Sequence, residues 1–500
     1  MTRHSIRTAP RASRSRALAA GVVVVLAAAL SAGVAPASAE AAPAANHPAA
    51  AVRPTATTAA AQPRIAIAPT ANVSPHGPYG TMTVDACALC HRAHTAKSSA
   101  LLVKSAPQST LCLTCHDGTG AATIVAQEYA GAKPNVPSKT VSTGTVSEYY
   151  QHDALVPTTH TLSVTDEFSG MLNRHTECSD CHSPHDANAT HVSTPAAGVA
   201  WPLSGVLSGT SGVKVTNGAA NTAPTYQFLD GKTTPVTFEY QLCLKCHSGF
   251  TTLLSKTGVS PSAWALDAGI EFNPNNASFH PVEGSGKNTS QKMKDSLAGT
   301  SPYKLWRFSV DGADGYPSTV RCTNCHANGA SVAAPSAPGD VLDTHTSANR
   351  GILLRNYRDR DLQTSTATYA DDDYALCYLC HTNTPFKTET STGTNFKFHF
   401  KHVSALDHNP GSDPLTSLNI DTPGAGVGNA LCSECHYRTH STATGSKYTR
   451  LVNFSPNVLP YGSSFGLPNT TPIFQSNTPG TGTCTLRCHG TAHNNVPYTP

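Results

Sequence analysis

The pattern C-x-x-C-H occurs seven times in this chain, ending on His91, His116, His182, His247, His326, His381 and His436. The cysteine pairs are Cys87/Cys90, Cys112/Cys115, Cys178/Cys181, Cys243/Cys246, Cys322/Cys325, Cys377/Cys380 and Cys432/Cys435. Chance at this composition predicts roughly 0.02 copies in a chain of this length. The last two cysteines, Cys484 and Cys488, precede His489 in a C-x-x-x-C-H variant with one extra residue. All 16 cysteines are then used in eight pairs. Any fold of this chain has to serve these segments, which run from Cys87 to His489.

The spacing has a mechanical meaning. Two thiols at i and i+3 can add to the two vinyl groups on one edge of a haem. The histidine that follows is carried under the ring, where its imidazole ligates the iron. Structural zinc calls for sets of four ligands and does not require a histidine after every second cysteine. Disulfides suit an exported protein but leave eight histidines unexplained. The expected cofactor is therefore heme c, eight copies, covalently attached.

The sixth ligands follow from a count. Of 24 histidines, eight are proximal, and His4 and His47 precede the motif region. Beyond the N-terminal segment, Met82, Met171 and Met293 are the only methionines, so eight Met/His sites are excluded. Bis-His ligation remains, which favours low potentials relative to Met/His. At least one free histidine follows each motif before the next begins. One taken from each interval gives the expected distal set: His94, His160, His185, His280, His345, His402, His440 and His493. The surplus is His76, His152, His175, His191, His399 and His408. These read as loop histidines, except that His76 and His175, lying just before paired motifs, are open as ligands.

Composition agrees with a core not made of side chains. Only 39% of residues are apolar and 13% are charged, while Gly and Pro number 37 and 36. Arg3, Arg7, Arg11, Arg14 and Arg16 open the chain, an apolar run spans Ala17 to Val34, and Ala37-Ser38-Ala39 follows. This three-part pattern reads as a signal peptide over residues 1–39. Removing its five positive charges from the formal +3 leaves −2. No basic patch remains, so nucleic acid is not an expected partner. Residues 40–73 are rich in Ala, Pro and Thr and read as a disordered linker.

Several segments resemble the doubled C-x-x-C-H unit of multihaem c-type cytochromes. His76-Gly-Pro-Tyr79 leads into Cys87-Ala-Leu-Cys90-His91-Arg-Ala-His94, followed by Leu111-Cys112-Leu-Thr-Cys115-His116. Cys178-Ser-Asp-Cys181-His182-Ser-Pro-His185 and Leu242-Cys243-Leu-Lys-Cys246-His247 repeat the theme. Ser278-Phe279-His280-Pro281-Val282, His345-Thr-Ser347 and Lys401-His402-Val403 look like ligand segments of such proteins. The fifth motif departs from the pattern, because no second histidine lies close behind His326.

The expected fold class is multihaem cytochrome c: mostly loop, with short α-helices at the motifs, a few small β-hairpins, and haems forming the core. Tyr226–Leu229 and Pro235–Tyr240 around Asp230-Gly231 read as one hairpin. Four dihaem units are expected at 74–170, 171–290, 291–385 and 386–500. The expected function is electron transport by an exported, secreted or cell-surface octahaem cytochrome with no membrane span after signal cleavage. Its partners would be other redox cytochromes or extracellular electron acceptors, with self-association into filaments as a further expectation. An octahaem redox enzyme acting on nitrite, hydroxylamine or tetrathionate is the alternative. It would need an iron with an open position, commonly signalled by a Lys or otherwise altered proximal ligand; none of the eight motifs has one, and distal histidines are in surplus.

Overall fold

The computed structural model describes residues chiefly in the stretches 84–121, 176–250, 267–298, 318–328, 342–355, 371–404, 430–441, 450–461, 472–476, 481–488 and 491–498, with shorter pieces at 76–77, 125–129 and 139–155 and a few positions inside these ranges left out. All of them belong to one compact unit, Pro69–Pro500. No helix among the described residues is long and apolar enough to cross a membrane.

Seven motifs share one local conformation. In each, the histidine backbone N–H donates to the carbonyl of the first cysteine, from His91 to Cys87 at 2.9 Å through His436 to Cys432 at 2.8 Å. This bond closes a single helical turn and turns both thiols to one side. The helices are short: Val84–Cys90, Ser109–Cys112, Cys178–Cys181, Glu239–Cys246, Ala375–Tyr378 and Cys432–Cys435, with a 3-10 turn at Cys322–Asn324. Three begin the same way, with a side chain in the first turn capping a free N–H. Glu177 N donates to Asp180 at 2.7 Å, Phe238 N to Gln241 at 3.1 Å, and Arg321 N to Asn324 at 2.7 Å.

The eighth motif differs. Cys484 and Cys488 lie on the strand Gly482–Cys488, the centre of a three-stranded antiparallel sheet with Ile473–Ser476 and Thr491–Tyr498. Phe474 faces Cys484 from one side and Val496 from the other, and the ladder shifts register between Cys484 and Leu486.

The expected hairpin at Asp230-Gly231 does not form as read. Thr225–Leu229 pairs instead with the upstream strand Gly212–Thr216, in register Val213 to Phe228 and Val215 to Tyr226. Residues from Glu239 onward are claimed by the helix of the fourth motif. Asp230 still builds a tight turn, its carboxylate accepting the N–H groups of Lys232, Thr233 and Thr234.

Side-chain packing is sparse and gathers at the motifs. One cluster joins Ala327, Leu342, Leu354 and Leu379 with Cys380 at its edge. A second joins Tyr374, Tyr378, Val403 and Leu431 with Cys377 and Cys432. Polar residues inside or beside the motifs tie consecutive motifs together. Ser179 N donates to Gln108 at 2.8 Å, and Lys245 Nζ to the Asp180 carbonyl at 2.8 Å. Glu239 accepts from Thr323 N and Oγ1 at 3.1 and 3.0 Å and from Arg321 Nε at 2.6 Å. Arg321 and Glu239 are only 1% and 3% exposed, and the guanidinium lies 5.6 Å from the Trp201 ring centre. Glu239→Ala strands a buried guanidinium, so it is expected to destabilise the haem-loaded protein by about 3–5 kcal/mol. Denaturant unfolding checks this, and an unchanged midpoint would refute it.

Candidate metal centres

Histidines distant in sequence face one another at a recurring separation. The ring centres of His91 and His185 are 6.1 Å apart, as are those of His116 and His76, His247 and His152, and His326 and His440. His182 and His345 stand at 6.0 Å, and His402 and His493 at 6.3 Å. Two metal–imidazole bonds of about 2 Å, with roughly 1.1 Å from nitrogen to ring centre at either end, require about 6 Å. Stacked rings in direct contact would sit closer. The residues therefore fit an iron held between two imidazoles, and five of the six pairs combine one C-x-x-C-H histidine with one other.

The ring nitrogens are sorted as ligation requires. Nδ1 hydrogen-bonds a backbone carbonyl in His91 (Ala100, 3.0 Å), His182 (Val206, 2.9 Å), His326 (Gly351, 2.7 Å) and His436 (Leu451, 3.0 Å). The facing histidines do the same: His152 uses Thr344 at 3.0 Å and His402 uses Phe398 at 2.8 Å. His280 bonds the Thr439 carbonyl and His399 the Thr394 hydroxyl at 2.8 Å. A proton held on Nδ1 leaves the Nε2 lone pair for a metal. Burial favours the neutral ring in His326, pushed down to about 4, and in His399, pushed down to about 3, with His440 and His436 respectively adding to the effect.

One arrangement recurs. His152 N donates to the His345 carbonyl while His152 Nδ1 bonds Thr344, the residue before His345. His280 N donates to the His440 carbonyl while His280 Nδ1 bonds Thr439, the residue before His440. His76 likewise bonds the backbone of Pro184, the residue before His185. Tyr150–Gln151 pairs antiparallel with Thr346–Ser347, and Phe279 bridges Ser441, so short strand contacts set two histidines side by side.

The motifs are also neighbours in chain order. The first-cysteine sulfurs lie close together in pairs, Cys112 with Cys178, Cys243 with Cys322, and Cys377 with Cys432. Cys90 lies within electrostatic reach of Cys115, Cys181 of Cys243, Cys325 of Cys377, and Cys435 of Cys484. Burial pushes the thiols of Cys181, Cys325 and Cys435 up to about 12, so they are neutral at physiological pH.

Of the expected distal set, His185, His345 and His440 each face a motif histidine, and His402 faces His493. His280 lies near His440 and His436. His94 is exposed on the turn after the first motif, and it is His185 that stands opposite His91. His152, read as surplus, faces His247, and His76 faces His116. His160 and His489 lie outside the described residues, as do His175, His191 and His408. Sequence order carried no sign of His152, because its partner is supplied by a strand contact with residues 346–347.

The family model described as "Doubled CXXCH motif" matches residues 76–121. This stretch carries the haem-attachment motif of multihaem c-type cytochromes. Cys87, Cys90, Cys112 and Cys115 are the cysteines of that doubled motif, and the match begins at His76, the residue that faces His116. No curated protein and no solved structure matches the chain. The seven helical motifs fit covalent attachment, their cysteines sharing one face of a turn. In the eighth, an extended strand spreads Cys484 and Cys488 over about 13 Å. That is more than twice the reach of a helical turn, about 5 Å, so β-conformation there does not fit two thioether bonds to one ring.

Proposed function

We propose that the protein is an exported octahaem c-type cytochrome that carries electrons along one continuous chain of bis-His haems. The observation that carries this reading is the coincidence of two patterns: imidazole pairs at 6.0–6.3 Å, and motifs that neighbour one another in sequence order. Haem iron, when bound, exchanges single electrons between its ferric and ferrous states. The chain's residues orient the rings, exclude water and tune the potential.

The assigned axial pairs are His91/His185, His116/His76, His182/His345, His247/His152 and His326/His440. All but His116/His76 cross the boundaries at 170, 290 or 385, so the haems pin separate regions of the chain to one another. His402 and His493, both expected as distal ligands, face each other beside the strand that bears Cys484 and Cys488, which makes this pair a candidate site at the C-terminal end. Attachment at Cys484 and Cys488 would require that strand to leave the β-conformation between them, a stretch in which the ladder already shifts register between Cys484 and Leu486. The N-terminal signal pattern supports export, and extracellular acceptors or other cytochromes are the partners that export implies. Assembly into filaments belongs to the same reading, as a chain of haems gains range when copies join end to end.

Intact mass of the mature protein is the first test. Eight haem masses above the polypeptide are expected. A count of seven would remove Cys484/Cys488 from the set, and a haem-free protein of native shape would end the reading. Electron microscopy of the loaded protein separates filaments from monomers.

A further inference from the structure

The histidines that face the motifs differ in what holds their Nδ1. His152 and His280 donate to backbone carbonyls. His440 donates instead to a carboxylate, Glu271 Oε2, at 2.8 Å from a residue 169 positions away. The contact is built. Glu271 sits on the short helix Ala268–Phe272, whose first turn is fixed by Asp267 accepting from Gly269 N at 3.0 Å. The next residue, Phe272, lays its ring 4.7 Å from the His440 ring. Glu271 and Phe272 therefore grip one imidazole from two directions. The other groups near this carboxylate and its imidazole are Arg438, within electrostatic reach of Glu271, and the neighbouring rings of His280 and His326.

A carboxylate accepts a hydrogen bond more strongly than a carbonyl does. It draws the Nδ1 proton away from the ring and raises electron density at Nε2, making the imidazole a stronger donor to a metal. A stronger axial donor favours the ferric state and lowers the reduction potential. Asp343 offers His345 a weaker version: its Oδ1 lies 3.1 Å from Nδ1 but also accepts the backbone N–H of His345 at 2.8 Å.

We infer that Glu271 is a positioning residue that lowers the potential of the haem held between His326 and His440, setting a low step at the fifth of the eight sites. The inference rests on reading that pair as axial ligands. Electrons entering at either end of the chain would then cross the fifth site as a barrier, so its depth sets the rate of through-transfer.

The test is a redox titration of the haem-loaded protein and its Glu271→Gln variant, followed optically and by EPR. The variant is expected to keep its full haem mass and every iron low-spin. One component should move to higher potential, and one low-spin signal should change its g-values, while the others stay. Glu271→Asp keeps the charge and is expected to stay nearer the wild-type spread than Glu271→Gln. Unchanged potentials and g-values in Glu271→Gln would overturn the inference, as would a uniform shift of all components. His440→Ala separates this from the ligand assignment. If it opens one iron to high-spin while Glu271→Gln is silent, tuning alone fails. If it leaves every iron low-spin, the axial pair itself fails and the inference falls with it.

Discussion

Polypeptide made without haem attachment is expected to be largely unfolded. The two apolar clusters contain four buried residues each and are edged by motif cysteines. Ordering each residue of backbone costs about 1–2 kcal/mol, and a buried Leu or Phe returns only about 1.5–3 kcal/mol. Long loops around small clusters cannot close that gap without another apolar body, and the haem faces supply it. Attachment and folding should therefore be coupled, as metal binding and folding are in small metal-dependent domains. Unmatured chain should give a far-UV circular dichroism spectrum of a disordered polypeptide and no cooperative thermal transition. A haem-free chain with dispersed amide resonances and a sharp transition would show that the side chains suffice.

The second large effect is expected at His152. His152→Ala removes the imidazole opposite His247 while leaving the backbone bond to the His345 carbonyl in place. Its haem should remain covalently attached through Cys243 and Cys246. One iron should turn from low-spin to high-spin, and its midpoint should rise because a strong donor is lost. Neighbouring sites should change little, except the one ligated by His345, whose backbone is braced by the same strand contact. His94→Ala is the control, and it should leave every iron low-spin. High-spin iron in His94→Ala, or none in His152→Ala, would return the assignment to the order of histidines along the chain.

The local and the distant parts of each site were legible to different degrees. C-x-x-C-H is complete within five residues, and one helical turn closed by the histidine N–H is enough to present it. Sequence therefore determines the expected proximal ligands, the attachment chemistry expected at seven sites and the shortage of an ordinary core. The hairpin at Asp230-Gly231 was half legible: the turn forms from its own residues, but the strand partner, Gly212–Thr216, comes from upstream.

What only the tertiary structure decided is which imidazole stands opposite which. A sixth ligand is chosen by position in space, and these partners come from 40 to 163 residues away, as in His116/His76 and His182/His345. His152 and His280 are aimed by hydrogen bonds to Thr344 and Thr439, groups that carry no signature in sequence. The same holds for Glu271, an ordinary helix carboxylate until the fold brings it against His440. Bonds within one turn are written in spacing. Bonds that close long loops depend on where the rest of the chain has packed.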